Sequence, residues 1–146
     1  MIAFFVGVLL MVACTFIHYG VLRWLSITMP EVRWIHRRAK VMAVVLVSIA
    51  SHYIQIALFG LAYYVLQDRF GMGSFGGQFT DALSTFLYFS AETYTSIGFG
   101  DIYPLGALRW VIGIEALTGL LMIGWTAAMI YMEMQRYWTR PGAIRR

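Results

Sequence analysis

Three long apolar stretches limit what this chain of 146 residues can fold into. They cover residues 1–22, 41–66 and 107–134, and most charged residues lie between or after them. About 20 apolar residues are enough for a helix to cross a bilayer. The chain is 60% hydrophobic and only 12% charged, and its mean hydropathy is +0.71, which excludes an ordinary soluble domain. The sequence therefore predicts an all-α membrane protein with three transmembrane helices.

The first stretch, residues 1–22, is interpreted as an N-terminal transmembrane helix rather than a secretory signal peptide. It has no positively charged start and no convincing small-residue cleavage site. His18 and Tyr19 stand near its end and are expected at the membrane interface. Cys14 is the single cysteine of the chain, so no intrachain disulfide can form.

Residues 23–40 combine basic and aromatic side chains and are predicted to be an interfacial or cytoplasmic linker on the membrane surface. Trp24 and Trp34 stand among five basic residues, Arg23, Arg33, Arg37, Arg38 and Lys40. Pro30 suits the first turn of a short helix. A voltage sensor is the sharper alternative, but its arginines would have to lie within an apolar span, which these do not.

Between the second and third apolar stretches lies a segment that is predicted to re-enter the membrane without crossing it. Residues 67–79 are a glycine-rich loop, and residues 80–92 form a helix of about 18 Å, which is too short to span. Thr80 is the expected N-cap of that helix, and Asp81 favours a helix start.

The stretch Thr95-Ser96-Ile97-Gly98-Phe99-Gly100-Asp101 follows this short helix, within residues 93–101. A dehydrated cation must exchange its water shell for oxygens of similar strength, which rings of backbone carbonyls supply. Pointing successive carbonyls inward requires left-handed backbone angles, which glycine adopts without steric cost. Gly98 and Gly100 alternate with Ile97 and Phe99, whose side chains are expected to point outward. A backbone of this kind can line a narrow passage with carbonyls.

This stretch resembles the selectivity filter of potassium channels, and the resemblance extends over about residues 41–134. It implies an outer helix (41–66), a turret (67–79), a pore helix (80–92), a filter (93–101) and an inner helix (107–134), with the helix at 1–22 added in front. Re-entrant backbone must be buried in protein or line water, so the chain is expected to be an oligomer, and the resemblance implies a homotetramer. The expected function is passive potassium conduction. The filter residues are expected to be Thr95, Ser96, Ile97, Gly98, Phe99 and Gly100, with K⁺ held at the carbonyls of Ser96, Ile97, Gly98 and Phe99.

The resemblance also implies residues that brace the filter. Glu92 precedes the filter where many potassium channels carry an acidic residue, and it is expected to pair with Asp101 directly or through water. Tyr88 and Phe89 occupy pore-helix positions where the family often has tryptophans. On the inner helix, Gly119 matches the hinge glycine of the family.

The inner helix is also expected to line the cavity of the pore. If Leu120 faces the pore, the helical period brings Ile123 and Ala127 to the same side. Gly113 and Gly124 are candidates for close helix packing.

Among the polar residues within the apolar spans, His52 and Gln55 share one face of the second span, and Glu115 lies in the third. Polar groups at this depth usually face protein rather than lipid. A hydrogen bond from Glu115 to Gln55 or His52 is the hypothesis. The alternatives are a pH-sensing role for His52 and direct ion binding by Glu115.

Two residues depart from the commonest filter pattern and leave a second function open. Phe99 stands where tyrosine is commoner, and Ser96 where threonine is commoner. The alternative is therefore a weakly selective monovalent cation channel. A subunit of a potassium transporter is a more distant one, because such transporters usually carry several degenerate filters in one long chain.

The remaining functional classes are not expected. An enzyme is not expected because no His-Glu-x-x-His or paired-Asp motif occurs. No cofactor, nucleic acid or small-molecule substrate is expected either; the partners are the lipid bilayer and other copies of the chain.

The distribution of basic residues predicts how the chain is oriented. Residues 23–40 and the basic tail, 135–146, hold nine of the eleven Lys and Arg residues. The positive-inside rule places both in the cytoplasm. The N-terminus is then outside, the C-terminus is cytoplasmic, and a multi-pass protein of a prokaryotic plasma (inner) membrane is expected.

Overall fold

The structure is a computed structural model that describes residues 1–138. Within them, four helices and two short strands follow one another along the chain. They are α1 (Ile2–Glu31), α2 (Arg37–Asp68), β1 (Ser74–Gly77), α3 (Leu83–Tyr94), β2 (Ile102–Leu105) and α4 (Leu108–Trp138). Helices α1, α2 and α4 are long and apolar enough to cross a membrane. The prediction of an all-α membrane protein with three such helices is confirmed.

Helix α1 is longer than the sequence predicts. Residues 23–31 continue the helix and residues 37–40 already belong to α2, so the predicted surface linker shrinks to residues 32–36. The 30 residues of α1 make a helix of about 45 Å, whereas the hydrocarbon layer is roughly 30 Å thick. A helix need not end where its apolar residues do, because its backbone hydrogen bonds are internal. Pro30 lies in the last turn of α1 and opens no new helix.

Helix α1 packs along the pore-domain helices rather than standing apart from them. Gly7 brings it close to α4, because a Cβ at that position would lie 3.3 Å from Cα of Val111. Further along, apolar side chains of α1, α2 and α4 form one cluster, made by Leu22, Leu25, Met29, Val44 and Met129. The first helix is therefore an integral part of the fold.

Strands β1 and β2, which flank α3 and the segment after it, form a small antiparallel sheet where the sequence predicts only a loop. Ser74 pairs with Leu105, and Gly77 pairs with Ile102. Gly77 adopts a φ of +88°, and a Cβ there would collide with the carbonyl oxygen of Asp101. Short strands containing glycine have little intrinsic β-propensity, so the pairing depends on tertiary contacts.

Helix α3 is short, as predicted, but it is shifted along the chain. It begins after Ala82, which forms no side-chain cap. The expected cap residue, Thr80, does not cap the helix; its hydroxyl oxygen instead lies 2.7 Å from the hydroxyl oxygen of Thr85. Asp81 accepts a hydrogen bond from Gln67 at the end of α2. These contacts hold the start of α3 in place of an N-cap.

An aromatic cluster joins α3 to α2 and β1. Phe75 of β1 lies 4.8 Å from Phe89 and 5.7 Å from Phe86 between ring centroids. Tyr63 of α2 contacts Phe89 edge-on at 5.7 Å. Aromatic pairs at such distances contribute about 0.5–1.5 kcal/mol beyond their buried area. The cluster fixes the position of the short helix α3 and so of the segment that follows it.

Candidate ion-conduction site

The segment after α3 turns back sharply on the last turn of that helix. The backbone N–H of Ser96 donates to the carbonyl of Thr93 at 3.0 Å, and that of Ile97 donates to the carbonyl of Glu92 at 2.9 Å. The Thr95 hydroxyl donates to the carbonyl of Ala91 at 2.7 Å. The segment therefore starts from the C-terminal end of α3, where the helix dipole favours positive charge.

The backbone of this segment alternates in handedness. Ser96, Gly98 and Gly100 have φ values of 57°, 55° and 80°, and no residue between them has positive φ. Such alternation turns successive carbonyls toward one side of the chain. The prediction that Gly98 and Gly100 adopt left-handed angles is confirmed. The left-handed Ser96 was not predicted, because serine gives no sequence signal for it.

Glu92 of α3 holds the segment that follows this helix. Its carboxylate accepts a hydrogen bond from the backbone N–H of Phe99 at 3.1 Å, and the residue is only 4% exposed. Burial raises the pKa of the Glu92 carboxyl; the Phe99 bond opposes this rise, and the charge of Asp101 adds to it. The bond ties the outer half of the segment to α3.

Asp101 is held by other groups than the expected Glu92. Its carboxylate accepts one hydrogen bond from the Tyr88 hydroxyl and one from the Ile102 N–H, each 3.1 Å long. Within the described residues, the carboxyls of Glu92 and Asp101 form no direct hydrogen bond with each other, although a pair formed directly or through water was expected. Tyr88 also stacks on Phe99, with centroids 6.4 Å apart and ring planes 2° from parallel. Tyr88 thus contacts both Phe99 and Asp101.

Two large apolar side chains of the segment remain mostly exposed within one chain. Ile97 is 58% exposed and Phe99 is 68% exposed. Both line a cavity of about 330 Å³, together with His52, Ile56 and Ile123 from α2 and α4. The backbone that carries the alternating carbonyls is exposed as well.

Gly119 lies where α4 passes the end of α3. A Cβ at this position would collide with the carbonyl oxygen of Tyr94, so the absence of a side chain permits the contact. By contrast, a Cβ at Gly113 or Gly124 would meet nothing within 4 Å. The packing role expected of these two glycines is therefore found, within one chain, at Gly119. Whether Gly119 is also a hinge stays a prediction.

The residues predicted to face the cavity are on an uncovered face of α4. Leu120 is 62% exposed, Ile123 is 40% exposed, and Ala127 is also exposed. Their position is compatible with a pore-lining role, which stays a prediction for a single chain.

Glu115 faces α2 and α3, as expected, but its predicted partners are wrong. One carboxyl oxygen lies 2.5 Å from the Ser90 hydroxyl of α3, and the other accepts a hydrogen bond from the Tyr63 hydroxyl of α2. Tyr63 lies two helical turns beyond Gln55, about 12 Å along the helix. The sequence could not fix which turn of α2 stands opposite Glu115.

His52 and Gln55 bond to residues other than Glu115. His52 lies 3.0 Å from the Tyr94 hydroxyl and 3.0 Å from the Thr126 hydroxyl. Gln55 contacts Nδ1 of His18 at 3.1 Å. His18 is fully buried, which corrects its expected place at the membrane interface, because α1 continues well beyond it.

The sequence interpretation missed several residues of this site. Ser90, Tyr94, Tyr63 and Thr126 all bond to the polar residues within the spans. Hydroxyl side chains in apolar helices are common, and only the rotation of each helix shows which of them face a partner.

Comparison with known proteins identifies the family. The family model described as ion channel matches residues 51–136, which is more than half of the chain. The inward rectifier potassium channel Kirbac3.1 of Paramagnetospirillum magnetotacticum is 38% identical over 88 residues, covering 60% of this chain and 27% of that protein. Protein LctB of Geobacillus stearothermophilus is 34% identical over 70 residues, covering 44% of this chain and 52% of that protein.

A second protein LctB, from Bacillus caldotenax, is 47% identical over 36 residues, covering 25% of this chain and 27% of that protein. The chain thus spans between about a quarter and about half the length of these relatives. No solved structure matches the chain significantly. The family match agrees with the three membrane-spanning helices and with the short helix α3, whose following loop alternates in the sign of φ. The chain therefore belongs to the ion channel family of potassium channel pore domains.

Proposed function

We propose that four copies of this chain surround a pore that passes K⁺ passively down its gradient. The observation that carries the proposal is the alternation of left-handed φ at Ser96, Gly98 and Gly100. Four such segments around an axis would present rings of carbonyls from Ser96, Ile97, Gly98 and Phe99. These rings would replace the hydration shell of the ion, as in the filters of potassium channels.

The uncovered face of the segment supports an assembly of several chains. Non-helical backbone at membrane depth is tolerated only where it is buried in protein or lines water. In one chain the segment 95–100 is exposed, and so are the apolar side chains of Ile97 and Phe99. Neighbouring subunits would cover these side chains and leave the carbonyls facing the pore.

A weakly selective cation channel is the alternative, favoured by two residues of the segment. Ser96 lacks the methyl group of threonine, and Phe99 lacks the hydroxyl of tyrosine. In this structure the Tyr88 hydroxyl donates a hydrogen bond to Asp101. We favour potassium selectivity because this bond and the Glu92–Phe99 bond both hold the outer half of the filter.

The proposed orientation places the loop 32–36 and the end of α4 in the cytoplasm of a cell with a plasma (inner) membrane. The basic residues Arg33, Arg37 and Arg38 lie at this loop, and Arg136 lies in the last turn of α4. Arg140, Arg145 and Arg146 of the predicted tail lie outside the described residues. The positive-inside rule supports this orientation. Cysteine labelling from either side of right-side-out vesicles would test this orientation. The labelled sites are the exposed residues Trp34 and Phe70, each changed to cysteine in a Cys14→Ala background.

An ion-flux assay tests the proposed function. Purified protein in K⁺-loaded vesicles is diluted into Na⁺ buffer, and a potential-sensitive dye reports selective K⁺ efflux. The wild type should generate an inside-negative potential. Gly98→Ala should not, because alanine at φ 55° is strained. Gly113→Ala, on the open side of a helix, is the matched control and should behave as wild type. A tetramer mass in detergent is expected for all three. Equal loss in both glycine variants, or a monomer mass, would contradict the proposal.

A further inference from the structure

Five polar side chains from four helices form a closed ring of hydrogen bonds below the filter. The contacts run from Gln55 to His18 (3.1 Å), from His18 to Thr126 (3.1 Å), from Thr126 to His52 (3.0 Å), from His52 to Tyr94 (3.0 Å) and from Tyr94 back to Gln55 (2.8 Å). The histidines and the glutamine each use two polar atoms, one for each neighbour. The tyrosine and the threonine each contact both neighbours through one hydroxyl. The ring joins α1, α2, the end of α3 and α4.

The orientation of the Gln55 amide fixes the direction of the ring. Its Nε2 lies 3.2 Å from the backbone carbonyl of Ser51. A carbonyl only accepts hydrogen bonds, so the amide nitrogen, and not the oxygen, must face it. The same nitrogen then donates to Nδ1 of His18, and the amide oxygen faces the Tyr94 hydroxyl.

Counting donors then assigns every proton around the ring. The Tyr94 hydroxyl donates to the Gln55 oxygen, so its own oxygen accepts from Nδ1–H of His52. Nε2 of His52 is therefore bare and accepts from the Thr126 hydroxyl. The Thr126 oxygen in turn accepts from Nε2–H of His18, whose bare Nδ1 accepts from Gln55. The ring closes only when both imidazoles are neutral and carry opposite tautomers.

An added proton has no place in this ring. On Nδ1 of His18 it would point at the Gln55 N–H, a donor facing a donor. On Nε2 of His52 it would take the acceptor away from the Thr126 hydroxyl. The imidazole centroids are 5.1 Å apart, so two charged rings would also repel each other.

The groups around the ring offer the imidazoles no counter-charge. Cys14 of α1 and Glu115 of α4 are the further titratable groups that face it, near Tyr94. The Glu115 carboxyl is occupied by Ser90 and Tyr63. Within the described residues, neither imidazole forms an ion pair with a carboxylate.

The ring holds two parts of the conduction machinery at once. Tyr94 immediately precedes Thr95 at the inner end of the filter segment, and its carbonyl lies against Gly119 of α4. Thr126 lies on α4 two turns beyond Gly119, on the same side of the helix. Moving α4 away from α1 and α2 would therefore break the ring.

We propose that His18, Thr126, His52, Tyr94 and Gln55 form a proton-sensitive positioning ring that keeps the filter conducting while both histidines are neutral. His18 is its one member outside residues 51–136, the part that matches the family. Helix α1 is thus a working part of the pore, because it supplies the residue that closes the ring. The link to conduction rests on the proposed function, whereas the proton arrangement does not.

The proton arrangement is tested without any conduction measurement. Nitrogen NMR of ¹⁵N-histidine-labelled protein in vesicles at about pH 7.5, above the usual histidine pKa of about 6.5, separates the two tautomers. We expect one buried histidine protonated only at Nε2, removed by His18→Gln, and one protonated only at Nδ1, removed by His52→Gln. Identical tautomers, or a cationic imidazole at either position, would overturn the ring.

The coupling to conduction is tested by a pH profile of K⁺ flux. Between about pH 8 and about pH 5, wild-type flux should fall about tenfold, the effect of losing one or two hydrogen bonds on a two-state equilibrium. The double variant His18→Gln/His52→Gln should conduct with a flattened profile, because glutamine both donates and accepts without titrating. His36→Gln, at an exposed histidine outside the spans, is the matched control and should keep the wild-type profile.

Variants of Thr126 distinguish the proposed proton-sensitive role of the ring from a merely structural role. Thr126→Ser keeps the hydroxyl and should keep the pH profile, whereas Thr126→Val should lower flux already at about pH 8. A pH response that survives in the double histidine variant, or a Thr126→Val channel with the wild-type profile, would overturn the coupling. Expected tautomers with no flux at any pH would refute the proposed function and leave the ring standing.

Discussion

The carbonyl of Tyr94 lies against the backbone of Gly119, at a position where no side chain would fit. Tyr94 ends the short helix α3, and Gly119 lies in the middle of α4. The contact therefore sets the distance between the inner end of the filter segment and the helix that is predicted to line the cavity.

Gly119→Ala should destabilise the protein and reduce conduction. The added methyl group would push α4 away from a rigid backbone carbonyl, and overpacking of this kind costs about 1–3 kcal/mol. The measurement is the thermal unfolding midpoint in detergent, with K⁺ flux alongside it. Gly124→Ala is the control, since a Cβ there meets nothing within 4 Å. Equal midpoints for the two variants would contradict the packing role of Gly119.

Tyr88→Phe should weaken the selectivity of the filter more than its assembly. The variant loses the 3.1 Å hydrogen bond to Asp101 but keeps the ring that stacks on Phe99. Because this bond is exposed, we expect only a small loss of stability. The Na⁺-to-K⁺ permeability ratio should rise while the tetramer mass stays unchanged. An unchanged ratio would mean that Asp101 does not need this brace.

Replacing Glu115 should show that this residue is neutral in the folded protein. The Ser90 hydroxyl lies 2.8 Å from the carbonyl of Ile56 and 2.5 Å from the Glu115 carboxyl. The Ser90 hydroxyl has one proton and can donate to only one of these two oxygens. Both contacts are therefore hydrogen bonds only if the Glu115 carboxyl is protonated and donates to the Ser90 oxygen. Glu115→Gln should therefore fold and conduct. Glu115→Ala leaves Ser90 and Tyr63 without their partner and should lose about 2–3 kcal/mol. If Glu115→Gln is as unstable as Glu115→Ala, the charged form is the native one.

Glu92→Gln should stabilise the protein at high pH and have no effect at low pH. Burial raises the pKa of the folded-state carboxyl, so folding favours its protonated form. The wild type then loses stability as pH rises through the folded pKa, whereas the glutamine variant does not. The difference between their unfolding midpoints should be largest near about pH 8 and vanish below about pH 4. Glu31→Gln, at the exposed end of α1, is the control. A difference that does not change with pH would contradict the account.

The sequence allowed the three spanning helices and the left-handed backbone of the loop after α3 to be predicted, because strong constraints act on both. A span must be long and apolar, and a carbonyl-lined segment requires residues such as Gly98 and Gly100 at left-handed angles. The length of α1 was underestimated, because Arg23 and Trp24 mark the membrane edge but do not end a helix. The four-residue strands depend on tertiary pairing, which their glycine-containing sequences do not indicate.

The partners of the buried polar groups could not be predicted for a different reason. They depend on the rotation and register of one helix against another, which an apolar sequence leaves open. Glu115 was expected opposite Gln55 and lies opposite Tyr63. His18 was expected at the interface and is buried against Gln55 and Thr126.

The reversal potential of the purified channel in planar bilayers, between unequal K⁺ and Na⁺ solutions, decides whether the pore selects potassium. We expect a value near the potassium equilibrium potential for the wild type and for Gly113→Ala, and no selective current for Gly98→Ala. A robust current that reverses near zero would contradict potassium selectivity. An unchanged reversal potential in Gly98→Ala would show that the alternating segment is not the path of the ion.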